Sequence, residues 1–178
     1  MAFLERVKTF FEVNQKALRF LALFALIFAV CYFIFGIAEG VRNGIIKPYT
    51  VLIAKAIAVV VNLFGASAIT DGTTVQSGTF SLNIAMGCDG VEATCLFLAG
   101  VLAFPTTWRA RFIGLAIGIP IIQVINLARL VGLYYAGIYL PSLIEQIHVY
   151  IAQSIVILLS TVVLIYWLER IAVPSRTA

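Results

Sequence analysis

Residues Ala17–Ala38 read ALRFLALFALIFAVCYFIFGIA, an apolar run broken by one charge, Arg19. As a helix this run extends about 33 Å, enough to cross a hydrocarbon core of about 30 Å. Gly36-Ile37-Ala38 has the small-x-small pattern of a signal-peptidase site, but the run exceeds the roughly 7–15 residues of a signal core, so it reads as a retained anchor. The rest of the chain agrees. Of 178 residues 62% are hydrophobic and 11% charged, with a mean hydropathy of +1.07, which excludes a soluble domain and defines an integral membrane protein. The net charge of +4 comes mostly from Lys and Arg just outside apolar runs. That pattern orients a chain in a bilayer, so membrane lipids are expected partners. With no basic patch interleaved with aromatics, nucleic acid is not. Cys31, Cys88 and Cys95 lack C-x-x-C spacing and the chain has one histidine, so no metal, cofactor or disulfide is expected.

Working outward, residues 1–16 form an amphipathic cytoplasmic segment in which Glu5, Arg6, Lys8 and Glu12 alternate with apolar side chains, and residues 17–38 form the first span. Three more spans are expected at Val91–Phe104, Phe112–Tyr135 and Val149–Leu168. Basic residues lie at the start of the first span (Arg6, Lys8, Lys16, Arg19), after Phe104 (Arg109, Arg111) and after the last span (Arg170, Arg176). The positive-inside rule puts all three clusters in the cytoplasm, with both termini. That parity leaves no crossing for residues 48–69. At about 100° per residue Lys47, Lys55 and Asn62 share one sector, so this stretch reads as an interfacial or re-entrant helix on the outer side. The competing arrangement is a fifth crossing with the N-terminus outside. Residues 70–87, with paired glycines and alternating Val75, Phe80, Leu82 and Ile84, read as a small extracytoplasmic β-hairpin. The expected fold is one all-α multi-pass bundle of about four transmembrane helices plus these two outer elements, with residues 88–170 as a three-helix core.

Three polar residues stand out in that core. Cys88 lies 17 residues before Pro105, Arg129 lies 18 after Arg111, and His148 lies 19 before Trp167. These separations are about 25, 27 and 28 Å of helix, so all three reach the outer boundary together. A thiol, a guanidinium and an imidazole at one membrane face are the parts of a cysteine acyl-transfer site. In Gly87-Cys88-Asp89-Gly90-Val91-Glu92, the Asp89 and Glu92 spacing predicts a capping box that starts a helix just after the cysteine. The helix dipole would then favour thiolate, and the flanking glycines would admit a substrate backbone. Cys31 and Cys95 read as ordinary buried thiols. Asn126 shares a helix face with Arg129 and is expected to fix its guanidinium. Arg129 alone also fits a snorkelling anchor, and His148 an interfacial cap.

Cys-x-Gly opening a transmembrane helix, Asn-x-x-Arg in the next and His at the start of the one after resemble the exosortase/archaeosortase family of membrane-embedded cysteine transpeptidases. The resemblance runs from about Pro48 to Arg170 and is closest to the exosortase H type. It implies Cys88 as nucleophile, Arg129 as the essential arginine and His148 as the acid/base residue, beside the support expected of Asn126, Asp89, Gly90 and Glu92 from the residues themselves. It also implies secreted protein substrates that end in a sorting motif, a transmembrane helix and a basic tail, processed at the outer face of the cell membrane. One departure is Cys88-Asp89-Gly90 where many members have Cys-Ser-Gly, since an acidic neighbour raises a thiol pKa. The alternative from another class is a non-enzymatic channel or scaffold subunit in which Gln123, Asn126 and Arg129 line a polar seam.

Overall fold

The computed structural model describes residues 14–172 apart from Thr79 and Met86. Most of the amphipathic opening and Arg176 lie outside the described residues. Five helices and one sheet follow in order: α1 (Gln15–Ile37), α2 (Glu39–Leu63), strands β1 (Ile69–Asp71), β2 (Thr74–Ser77) and β3 (Phe80–Asn83), then α3 (Val91–Ala103), α4 (Trp108–Tyr139) and α5 (Pro141–Ala172). The fold is mostly helical, and α1, α2, α4 and α5 are each long and apolar enough to cross a membrane.

That set of four differs from the expected one. Helix α3 has 13 residues, about 20 Å, and is too short to cross as a helix alone. It lies in the middle of the bundle against α1, α4 and α5. Close approach is built from small residues. A Cβ at Gly118 of α4 would sit 2.2 Å from the Phe97 ring of α3, and one at Gly114 would sit 2.2 Å from the Trp167 indole of α5. This small-x-x-x-small spacing lets the three helices share a buried core of Ala93, Phe97, Val101, Ile122, Val156 and Trp167. Trp167 Nε1 donates to Ala110 O at 3.0 Å, so the indole nitrogen is satisfied inside that core.

Helix α2 departs from the expected segment in its bounds, because it begins at Glu39 and ends at Leu63. Its circumference divides into three sectors. Ile46, Thr50, Ile53, Ala54, Ile57, Ala58 and Val61 are buried, whereas Lys47, Lys55 and Asn62 are exposed within an arc of about 80°. Leu52, Val59 and Leu63 are exposed on a second arc of about 40° beside it. Helix α2 thus presents a protein-facing, a polar and an apolar sector. Its packing agrees. Helix α2 meets α4 and the sheet, and Tyr49 and Thr50 near its start reach Gln123 and Asp89.

The expected hairpin is a three-stranded antiparallel meander in the order β1-β2-β3. The extra strand is only Ile69–Asp71, paired through Asp71↔Thr74 across Gly72-Thr73. Gly72 has φ +57° while no described non-glycine residue has positive φ, the arrangement of a tight hairpin turn with glycine first. Val75 and Leu82 pair across β2 and β3 and bury the same face, with Ile84 beyond them. Together with Ile57, Val61, Leu130, Leu133 and Tyr134 they form a second core. Helix α4 is about 48 Å long, longer than a hydrocarbon core of about 30 Å, and the turns that carry this core lie past Arg129 toward its C-terminal end. The chain thus has two cores along α4, and the sheet caps the second of them.

Candidate active site

Cys88 is buried as part of the second core, in the loop that leads from the sheet into α3. Its Sγ is 3.1 Å from Nε2 of His148, and Nη2 of Arg129 approaches the same sulfur at 3.6 Å. The three side chains come from three separate elements. His148 sits on the π-helical turn Ile147–Ala152 within α5, a widened turn of the kind often found at functional sites. Arg129 is nine-tenths buried, and its Nη1 donates to Asn126 Oδ1 at 3.2 Å.

The loop is held from outside by side chains on three helices. Asn126 Nδ2 of α4 donates to Cys88 O at 3.2 Å. The Tyr49 hydroxyl of α2 reaches Asp89 O at 3.2 Å and also contacts Gln123 Oε1. Thr94 Oγ1 of α3 donates to Gly90 O at 2.8 Å while accepting from Gln123 Nε2 at 2.8 Å. Gln123 and Asn126 therefore turn toward the cysteine loop. A seam of Gln123, Asn126 and Arg129 along a conducting path would need those groups free, and they are committed here. Gln123 is also a participant that sequence placed only in the rival reading. Its three-residue spacing from Asn126 was the signal that could have found it.

Two sequence expectations change at this loop. The capping box does not form, because the residue before the helix is Gly90, and Asp89 Oδ1 accepts from Val91 N–H at 3.1 Å one position further out. Gly90 does not open the site to a substrate either. It adopts φ +81°, and a Cβ there would lie 2.9 Å from Asn126 Nδ2. Its bareness serves close packing. Glu92 lies in the first turn of α3 with its carboxylate toward Gly87, and does not reach the thiol as a hydrogen-bond partner.

Electrostatics follow from burial. Desolvation pushes the Cys88 thiol above its ordinary range, and the charge and hydrogen bond of Arg129 oppose this without reversing it. Asp89 and Glu92 push in the same direction as burial. The helix dipole was expected to favour thiolate, whereas burial of a thiol 6% exposed favours the neutral form. Asp89 is itself 1% exposed, and burial holds its carboxyl above the usual carboxylate range despite bonds from Val91 N–H and Thr50. All three cysteines are free thiols, with Cys31 of α1 and Cys95 of α3 also buried.

Comparison with known families decides the kinship. A family model described as transmembrane exosortase (Exosortase_EpsH) matches residues 14–167, most of the chain. The chain belongs to the transmembrane exosortase family. The match reaches from the start of α1 into the last turns of α5, and so includes the cysteine loop, the Asn126 and Arg129 face and the His148 turn. Comparison with curated proteins and with solved structures gave no match. Membership agrees with a multi-pass membrane protein of mostly helical fold.

Proposed function

We propose that this chain is a membrane-embedded cysteine peptidase or transpeptidase that removes the C-terminal sorting tail of secreted proteins at the outer face of the cell membrane, with both of its termini in the cytoplasm. The observation that carries the reading is the convergence of Cys88, His148 and Arg129 within hydrogen-bond reach, in a chain of the exosortase family.

His148 Nε2 takes the proton from Cys88 Sγ, and the resulting thiolate attacks the scissile carbonyl carbon. The carbonyl oxygen becomes an oxyanion within reach of Arg129, whose Nε is buried and has no hydrogen-bond partner among the described residues. Collapse of the intermediate breaks the C–N bond as His148 returns the proton to the leaving amine. A thioester to Cys88 remains. An acceptor amine then forms a new peptide bond, or water hydrolyses the thioester, and the thiol is restored. The substrate's own transmembrane helix supplies remote binding energy that holds the scissile bond at the boundary.

The test is co-expression with a tail-bearing substrate. Processing is expected with the native chain and with Cys95→Ala, and is expected to vanish in Cys88→Ala while membrane insertion persists. Retained processing in Cys88→Ala would remove the nucleophile.

A further inference from the structure

At the end of the bundle away from Cys88, α1, α3 and α4 enclose a cavity of about 470 Å³. Its wall has two kinds of surface. Lys16 and Arg19 from the first turns of α1 and Arg111 from the first turn of α4 bring three positive charges to it, and Phe20, Leu23 and Leu102 give it an apolar side. Arg111 is partly committed, since its Nη2 donates to Phe104 O at 3.0 Å and its guanidinium carbon lies 4.7 Å from the centre of the Trp108 ring. Its Nε is nevertheless buried with no hydrogen-bond partner among the described residues.

Among the described residues that line the cavity there is no carboxylate to accompany these cations. Among the described residues the one ion pair joins Arg42 to Glu39, far along the chain from this cavity. Three converging cations with no carboxylate among the described lining residues favour an anion, and the apolar side of the same cavity favours hydrocarbon. A single molecule that carries both is a lipid with a phosphate headgroup. We propose that this cavity binds an anionic phospholipid, with its phosphate among Lys16, Arg19 and Arg111 and an acyl chain along Phe20, Leu23 and Leu102. The site lies away from the cysteine loop, and the proposal stands or falls apart from the catalytic reading.

The experiment is a titration of the purified full-length protein in detergent with phosphatidylglycerol, phosphatidylcholine of the same acyl chains, and inorganic phosphate. Bound lipid is read by native mass spectrometry and the thermal midpoint by unfolding. Phosphatidylglycerol is expected to stay bound and raise the midpoint, and the other two to do neither. The double variant Lys16→Gln/Arg19→Gln changes two exposed side chains and should keep the lipid-free midpoint. Its phosphatidylglycerol affinity should fall about 30-fold, roughly fivefold for each cation lost. Arg109→Gln, at an exposed position outside the cavity, should bind as the native chain does. Equal retention of phosphatidylcholine, an equal response to inorganic phosphate, or an unchanged affinity in the double variant would each overturn the proposal.

Discussion

At the level of single residues, the decisive fact about Cys88 is the direction in which its proton is held. Burial raises the thiol pKa more than Arg129 lowers it, so near neutral pH the sulfur keeps its proton unless His148 Nε2, 3.1 Å away, accepts it. In His148→Ala, alkylation of Cys88 by iodoacetamide should be slow at pH 7 and climb about tenfold per pH unit toward alkaline pH, because thiolate fraction grows that way below a raised pKa. The native protein should react faster at pH 7 with a flatter profile. Identical profiles would rule out His148 as the proton acceptor. Arg129→Gln should slow alkylation further, since it deletes the influence that lowers the thiol pKa. Arg129→Lys replaces a planar fork that bonds Asn126 and the sulfur together, and turnover should fall about 10² to 10³, the scale of one lost oxyanion donor. Near-normal turnover would make the guanidinium an anchor. Counting depth along helices placed the three side chains together because a rigid rise converts residue number into distance. The sign of the thiol shift was not legible, since desolvation depends on which distant side chains close over the loop.

At the level of elements, the cap is locked to α4 by one notch. A Cβ on Gly137 would lie 1.9 Å from the Phe80 ring of β3, which also packs edge-on against Tyr134. Gly137→Ala should therefore destabilise the protein by about 1–3 kcal/mol through overpacking. Adding Phe80→Leu should recover part of that loss, because the shorter side chain vacates the contact. Thermal midpoints of the two single variants and the double variant decide the matter, and strict additivity would show that the contact carries no coupling. Nothing in sequence singled out Gly137 among 13 glycines, because its partner lies on a strand more than fifty positions earlier. The third strand escaped for a simpler reason. Ile69-Thr70-Asp71 is too short to show alternation, although Asp71-Gly72 was itself a turn signal. The polar sector of α2 was legible from its 3.6-residue period, but its true start was not. The kink at Ala38, with ψ 107°, is followed at once by helix through the polar stretch Glu39-Gly40-Val41-Arg42-Asn43, whose charges and glycine hid the start of α2.

At the level of the whole molecule, orientation can be tested at sites away from the chemistry. Gln76→Cys, exposed on β2, should react with a membrane-impermeant maleimide in intact cells, whereas Arg109→Cys should react only after permeabilisation. The reverse pattern would turn the molecule over and remove secreted substrates from consideration. On this scale the cysteine loop has a further property. Three successive carbonyls, of Cys88, Asp89 and Gly90, are each held by a side chain from a different helix: Asn126 of α4, Tyr49 of α2 and Thr94 of α3. A misplacement of about 1 Å at a nucleophile can cost about 10²-fold in rate, so each tether transmits the posture of its helix to the same sulfur. Asn126→Ala, Tyr49→Phe and Thr94→Val should thus be kinetic copies of one another despite touching different parts of the fold. Once one tether is cut and the sulfur has drifted, cutting a second should add little. Turnover in double variants that falls short of the product of the single losses would show the loop behaving as a tripod, which is lost with its first leg.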